Sequence, residues 1–256
     1  MQLPTPLQQI DRTYVRYEGR KFSYFAGCDY FRLASHPKVL RAAETGLKKF
    51  GLNVAASRLT TGNHDIFGKL ESALAEFFDA ESALLVSNGY VTNLVVAQAL
   101  AGRFSHVVMD EKAHPSLKDA AQILGGRTIN FRHLDPADLK RVVSKLPKTA
   151  GVILLTDGMF SHNGSIAPLR QYMKVLPSNA MLLLDDAHGA GTLGNSGKGT
   201  IELENVPRKR VIQSITLSKA FGCYGGAILC DAGLRQAIIS KSRLFVGSTP
   251  LPVPLA

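Results

Sequence analysis

The chain has 256 residues, 45% of them hydrophobic and 20% charged, which suits a globular protein with one sizeable core. No run of about 18 apolar residues marks a membrane span, and the leader MQLPTPLQQIDRTY lacks the basic-then-apolar order of a signal peptide. The formal charge of +10 comes with no nucleic-acid module, so it reads as a solvated basic surface or as a field favouring phosphate-bearing ligands. Cys28, Cys223 and Cys230 lack metal-ligand spacing, and their odd number leaves at least one unpaired, as expected in the reducing cytoplasm.

Residues 1–36 read as a polar N-terminal segment with one extended stretch at Lys21–Phe25. Helical spacing begins at Pro37–Lys49. A second helix follows a cap at Asn63 or Asp65 and carries Phe67, Leu70, Leu74 and Phe77–Phe78 on one face. Seven short apolar runs then read as strands: Ala83–Val86, His106–Met109, Thr128–Phe131, Gly151–Leu155, Met181–Leu184, Val211–Ile215 and Gly226–Leu229. Helical patterns at Thr92–Leu100, Pro115–Leu124 and Pro136–Leu146 separate several of them, and Leu234–Leu244 follows the last. Nearly continuous apolar strands alternating with helices predict an α/β domain over 37–256: a mostly parallel seven-stranded sheet covered on both faces. Three prolines in the last seven residues exclude a helix or central strand there.

Ligands of such sheets bind outside the carboxyl ends of the strands, so polar residues just after strands are candidates. Two segments qualify. Met181-Leu-Leu-Leu-Asp185-Asp-Ala-His188-Gly-Ala-Gly runs from a strand into two carboxylates, a histidine and glycines. Ser214-Ile-Thr216-Leu-Ser-Lys219-Ala-Phe-Gly delivers a lysine flanked by hydroxyls and glycines. A lysine used for imine chemistry needs a site that depresses its pKa. A pyridinium electron sink needs a facing carboxylate, and a phosphate needs N–H groups at a helix start.

Together with Cys28-Asp-Tyr-Phe-Arg-Leu, Ala56-Ser-Arg-Leu-Thr-Thr-Gly-Asn-His64, Ser87-Asn-Gly-Tyr90-Val-Thr-Asn93, Asp110-Glu-Lys-Ala-His114 and Thr156-Asp-Gly-Met-Phe-Ser161, these motifs resemble the α-oxoamine synthases. The likeness runs in order from about Tyr24 to Pro250 and leans toward the 8-amino-7-oxononanoate synthase-like group. It implies the large domain of a fold-type-I transferase that uses pyridoxal 5'-phosphate (PLP). The implied reaction condenses an amino acid of the alanine or glycine type with an acyl-CoA, with decarboxylation, to an α-amino ketone. By the same resemblance Lys219 carries PLP and moves the α-proton. Asp185 pairs with the ring nitrogen, His188 and Ser161 reach the phenolic oxygen, and His114 stacks on the ring. Gly89, Tyr90 and Thr216 receive the phosphate. Ser248 or Thr249 approaches the phosphate of a neighbouring subunit, which implies a homodimer with shared sites; the lack of a nucleic-acid module and of an apolar span leads us to expect no nucleic-acid or membrane partner.

Departures from the family pattern bear on activity. Cys28 replaces an asparagine, Asp157 stands where glutamate is common, and Leu52-Asn-Val54 replaces a glycine-rich approach. No arginine of the short leader matches the one that meets the acyl chain. The C-terminal small domain that the resemblance implies, with its carboxylate-binding arginine, has no counterpart. An aminotransferase, or an impaired PLP-binding partner subunit, is therefore the alternative. Asp186 reads as structural, His64 and His162 as surface or helix-start residues, and Cys223 as packing. Arg208-Lys-Arg210 reads as a solvated loop, with coenzyme A contact as the other option.

Overall fold

The computed structural model describes residues 3–256. Strands β1 (Gln8–Gln9), β2 (Tyr14–Tyr17) and β3 (Arg20–Ser23) form a small antiparallel meander. Sequence reading found only its last strand. The connection is the two-residue turn Glu18-Gly19, both at positive φ (47° and 77°), the twist that closes a tight hairpin.

Helix α1 (Pro37–Phe50) opens with proline at its first position, where the missing N–H costs nothing. Helix α2 (Asp65–Phe77) is capped by His64, between the two residues expected: its Nδ1 accepts from the Ile66 N–H at 3.3 Å. The remaining elements run β4 (Ser82–Val86), α3 (Gly89–Leu100), β5 (His106–Asp110), α4 (Pro115–Leu124), β6 (Arg127–Phe131), α5 (Pro136–Ser144), β7 (Val152–Asp157), α6 (Leu169–Val175), β8 (Met181–Asp185), α7 (Thr200–Leu203), β9 (Val211–Thr216), β10 (Gly226–Cys230), α8 (Ala232–Lys241) and α9 (Arg243–Val246). The helix expected over Leu234–Leu244 breaks at Ser242. That residue takes an extended conformation, donates to Gln98 and caps α9 by accepting from the Phe245 N–H. The proline-rich end is packed, with Leu251 and Val253 each 1% exposed in the core cluster that includes α2.

All seven expected strands lie in one sheet, ordered β4-β10-β9-β8-β7-β5-β6. β9, β8, β7, β5 and β6 pair in parallel, while β10 runs antiparallel to both β4 and β9. Alternate side chains serve opposite faces. Ile153, Leu155 and Leu183 pack with α3, α4 and α8, whereas Val152, Leu154, Leu182 and Leu184 pack with α5, α6 and α7. Both faces are thus buried, which is why the strands lack polar alternation. No helix among the described residues is long and apolar enough to cross a membrane.

Candidate active site

The parallel strands carry polar residues to their carboxyl ends: Asp110 on β5, Asp157 on β7, Asp185 on β8 and Thr216 on β9. Beside the last three opens a cavity of about 140 Å³ lined by Asn88, Gly89, Tyr90, His114, Asp157, Asp185, Ala187, His188, Thr216 and Lys219. Of the eight residues expected to act on a cofactor, it gathers Lys219, Asp185, His114, His188, Thr216, Gly89 and Tyr90. Ser161 is the eighth. It is exposed on the turn that Gly164 closes through its N–H to the Phe160 carbonyl, and it does not line the cavity. Ser248 and Thr249 line a different depression beside Arg58 and Phe245.

Asp185 is held on both oxygens. Oδ2 accepts from Asn93 Nδ2 at 2.7 Å and from the Ser116 hydroxyl at 3.3 Å, and Oδ1 accepts from the Ala187 N–H at 3.1 Å. Asn93 in turn accepts from Ser214 Oγ at 2.6 Å. A buried carboxylate with these partners is fixed in direction, as an electrostatic anchor requires.

Lys219 sits in the connection 217–225, between β9 and its antiparallel neighbour β10. That connection is cross-tied. Leu217 N–H donates to the Gly225 carbonyl at 3.0 Å, Cys223 N–H to Leu217 at 2.9 Å, and Gly222 N–H to Lys219 at 2.9 Å. The Lys219 Nζ lies 2.7 Å from His188 Nε2, and His188 Nδ1 lies 2.6 Å from the Tyr30 hydroxyl. Burial lowers the Lys219 pKa below its ordinary value, against the pull of Asp185, Cys28 and Asp157. Burial, then the neighbouring Lys219, brings His188 down to about 4.

His114 caps α4, its Nδ1 accepting from the Ser116 N–H, and its ring packs edge-on against Tyr90 at 5.8 Å. Asp157 holds the backbone beneath it, accepting from the His114 N–H at 2.9 Å. Burial first, then repulsion from Asp185 in register on the next strand, pushes Asp157 up to about 8. The folded chain therefore keeps a proton that an unfolded aspartate releases near its ordinary 3.8. The folded state binds more protons between those values, so Asp157 costs stability as pH rises through that window. Asp157→Asn keeps the hydrogen bond without the titration. Its urea midpoint at pH 8 is expected above the parent's, with the two converging near pH 4; equal midpoints at pH 8 would refute the assignment.

At the start of α3, Asn88 Oδ1 accepts from the Val91 N–H, leaving the N–H groups of Gly89 and Tyr90 for an anion. A side chain at Gly89 has no room: its Cβ would stand 2.7 Å from the Thr216 Cβ and 2.8 Å from its hydroxyl. Gly89→Ala should therefore displace Thr216 and weaken PLP binding about tenfold or more, read by absorbance titration. These residues fit PLP: a cradle for a phosphate, an anchored acid and a lysine with a depressed pKa.

Asp186 serves the scaffold. It is buried, takes hydrogen bonds from the Thr200 N–H (2.9 Å), Thr200 Oγ1 (2.7 Å) and Gln213 Nε2 (2.7 Å), and is pushed up to about 6 chiefly by burial. Gly199, at φ +88°, passes so close that a Cβ would lie 2.0 Å from its carboxylate. The basic run lies at the other end of the sheet, where a cavity of about 340 Å³ meets the starts of β8 and β9. The length of β9 separates it from Lys219, so it does not contact this site. Arg208 donates to the Phe78 carbonyl and Gln213, and Arg210 to the carbonyls of Pro177 and Ala180. Cys223 is half-buried, its Sγ 3.1 Å from the Leu255 carbonyl.

Sequence reading missed Tyr30, Asn93 and Asp157 as members of this site, although all three stand in the motifs it singled out. The family model for aminotransferase class I and II matches residues 28–256. An 8-amino-7-oxononanoate synthase of Thioalkalivibrio sulfidiphilus is 39% identical over 98% of this chain and 63% of its own length. Serine palmitoyltransferase of Sphingomonas wittichii superposes with a TM-score of 0.91 at 29% identity, over 97% of this chain and 62% of that one. A lysine-to-alanine variant of the S. paucimobilis enzyme, solved with a bound PLP–myriocin aldimine, superposes equally well (0.91, 28% identity, 97% and 63% covered). The chain spans less than two thirds of the length of these relatives.

Proposed function

Because the chain belongs to the aminotransferase class I and II family, we propose that it is a PLP-dependent acyltransferase of the α-oxoamine synthase type. Its substrates are an amino acid of the alanine or glycine type and an acyl-CoA, and its product, after loss of carbon dioxide, is an α-amino ketone. The observation that carries this reading is that Lys219 and Asp185 line one cavity at the carboxyl edge of the sheet. The bound cofactor supplies an electron sink for negative charge at the α-carbon of the amino acid. The protein's own groups do the rest. Lys219 would hold the cofactor and later take the α-proton, and Asp185 would keep a proton on the ring nitrogen. His188 would serve the phenolic oxygen, and His114 would help position the ring and orient the amino acid. The N–H groups of Gly89 and Tyr90, with the Thr216 hydroxyl, would hold the phosphate. This reading divides the chain into an N-terminal segment, 1–36, which lends Tyr30, and a cofactor-binding large domain, 37–256.

A homodimer with shared sites belongs to the same proposal. Helix α1 supports it by leaving Leu40 and Leu47 exposed two turns apart on one stripe. Cytoplasmic residence is supported by three free thiols. The reaction is tested by thiol release: free coenzyme A should appear only when acyl-CoA and alanine or glycine are both present, and Lys219→Ala should reduce it to background. Amino transfer to a keto acid with no thioester requirement would overturn condensation in favour of an aminotransferase.

A further inference from the structure

His188 stands between two partners, Lys219 Nζ at 2.7 Å from Nε2 and the Tyr30 hydroxyl at 2.6 Å from Nδ1. A neutral imidazole has one N–H and one lone pair, so its two contacts run in opposite senses. A phenol donates better than it accepts. Tyr30 therefore donates to Nδ1, the ring proton lies on Nε2, and that N–H points at the lysine nitrogen. An ammonium has three donors and no lone pair, so it cannot accept; only the free amine can. We propose that Tyr30 is a positioning residue that fixes the Nε2–H tautomer of His188 and thereby holds Lys219 as a free amine. The inference rests on the proposed function only in that imine chemistry is what such an amine is for.

The surroundings agree. Burial, the largest cause, keeps His188 from protonating, opposed by Asp185. Burial, then Cys28, pushes Tyr30 up to about 12, so its donor proton persists across the neutral range. Burial favours the neutral lysine, while Asp185, Cys28 and Asp157 favour its charged form. Tyr30 tips that balance through the imidazole.

The test uses the cofactor-free chain. Acetic anhydride labels free amines, and peptide mass spectrometry compares Lys219 with the exposed Lys48 from neutral to alkaline pH. Without the phenol nothing pins Nδ1, and Nε2 becomes free to accept from an ammonium. Tyr30→Phe should therefore slow Lys219 labelling at neutral pH about tenfold, one pKa unit in the amine, and leave Lys48 unchanged. In a His188→Gln background the same substitution should do nothing further. Unchanged labelling in Tyr30→Phe, or an equal effect without His188, overturns the proposal. Should Tyr30→Phe fail to fold, ring-nitrogen NMR of the parent chain decides: a proton on His188 Nε2 supports the assignment and one on Nδ1 overturns it. Neither measurement contains cofactor or substrate, so failure to capture PLP would sink the proposed function and leave this inference standing.

Discussion

Borohydride reduction of the chain mixed with PLP is expected to fix the cofactor on Lys219, and Lys219→Ala should abolish that adduct. Every lysine offers an amine, but a lysine side chain free in water is mostly ammonium at neutral pH and a poor nucleophile. Lys219 differs in three ways that reinforce one another. Burial disfavours its ammonium form, His188 faces its nitrogen at 2.7 Å, and Gly89 and Tyr90 line the same cavity to take a phosphate. Each unit by which its pKa falls multiplies the free amine tenfold at neutral pH. Peptide mapping of the reduced protein checks the result. A label spread over surface lysines, and retained in Lys219→Ala, would sink the proposed site.

The largest effect on stability is expected from Glu71→Ala. Glu71 is 5% exposed and pairs with Arg58, whose side chain is 8% exposed, and with Arg235 at 3.0 Å. It also accepts from the Leu85 N–H at 2.9 Å, joining α2 to β4. Removing the carboxylate leaves a buried guanidinium unpaired and a strand N–H without an acceptor. Loss of one partner from such a pair costs about 3–5 kcal/mol, read as a drop in the urea midpoint. Glu71→Leu combined with Arg58→Leu should recover much of the loss, because burying two apolar chains costs less than stranding one charge. A loss below about 1 kcal/mol in the single variant, the range of exposed pairs, would show that the network is solvated.

The sheet was legible because six of its seven strands are buried nearly throughout and read as largely apolar runs, the mostly exposed edge strand β6 being the exception. The site was legible for the same reason: Asp185, Thr216 and Lys219 follow directly from strands. What escaped depended on long-range contact. Tyr30 reaches His188 across 158 residues of chain, and the motif Cys28-Asp-Tyr-Phe-Arg-Leu around it does not reveal that contact. Asn93 had a local signal, since it lies one helical turn beyond Gly89 on the same helix. Asp157 had one as well, ending β7 as Asp185 ends β8. Ser161, which the motif match places near the ring, stands exposed on the turn after β7. Strands β1 and β2 of the N-terminal meander and helix α6 were too short for periodicity to register.

The connection bearing Lys219 begins and ends on strands that are zipped together, Thr216 opposite Gly226, in the middle of the sheet. Its amine is therefore placed by the most protected part of the molecule. Amide hydrogens of Leu217 and Cys223 should exchange with solvent only as fast as β9 parts from β10, on the slow timescale of sheet opening. Motion of neighbouring segments can then control who reaches the lysine, while its address stays constant.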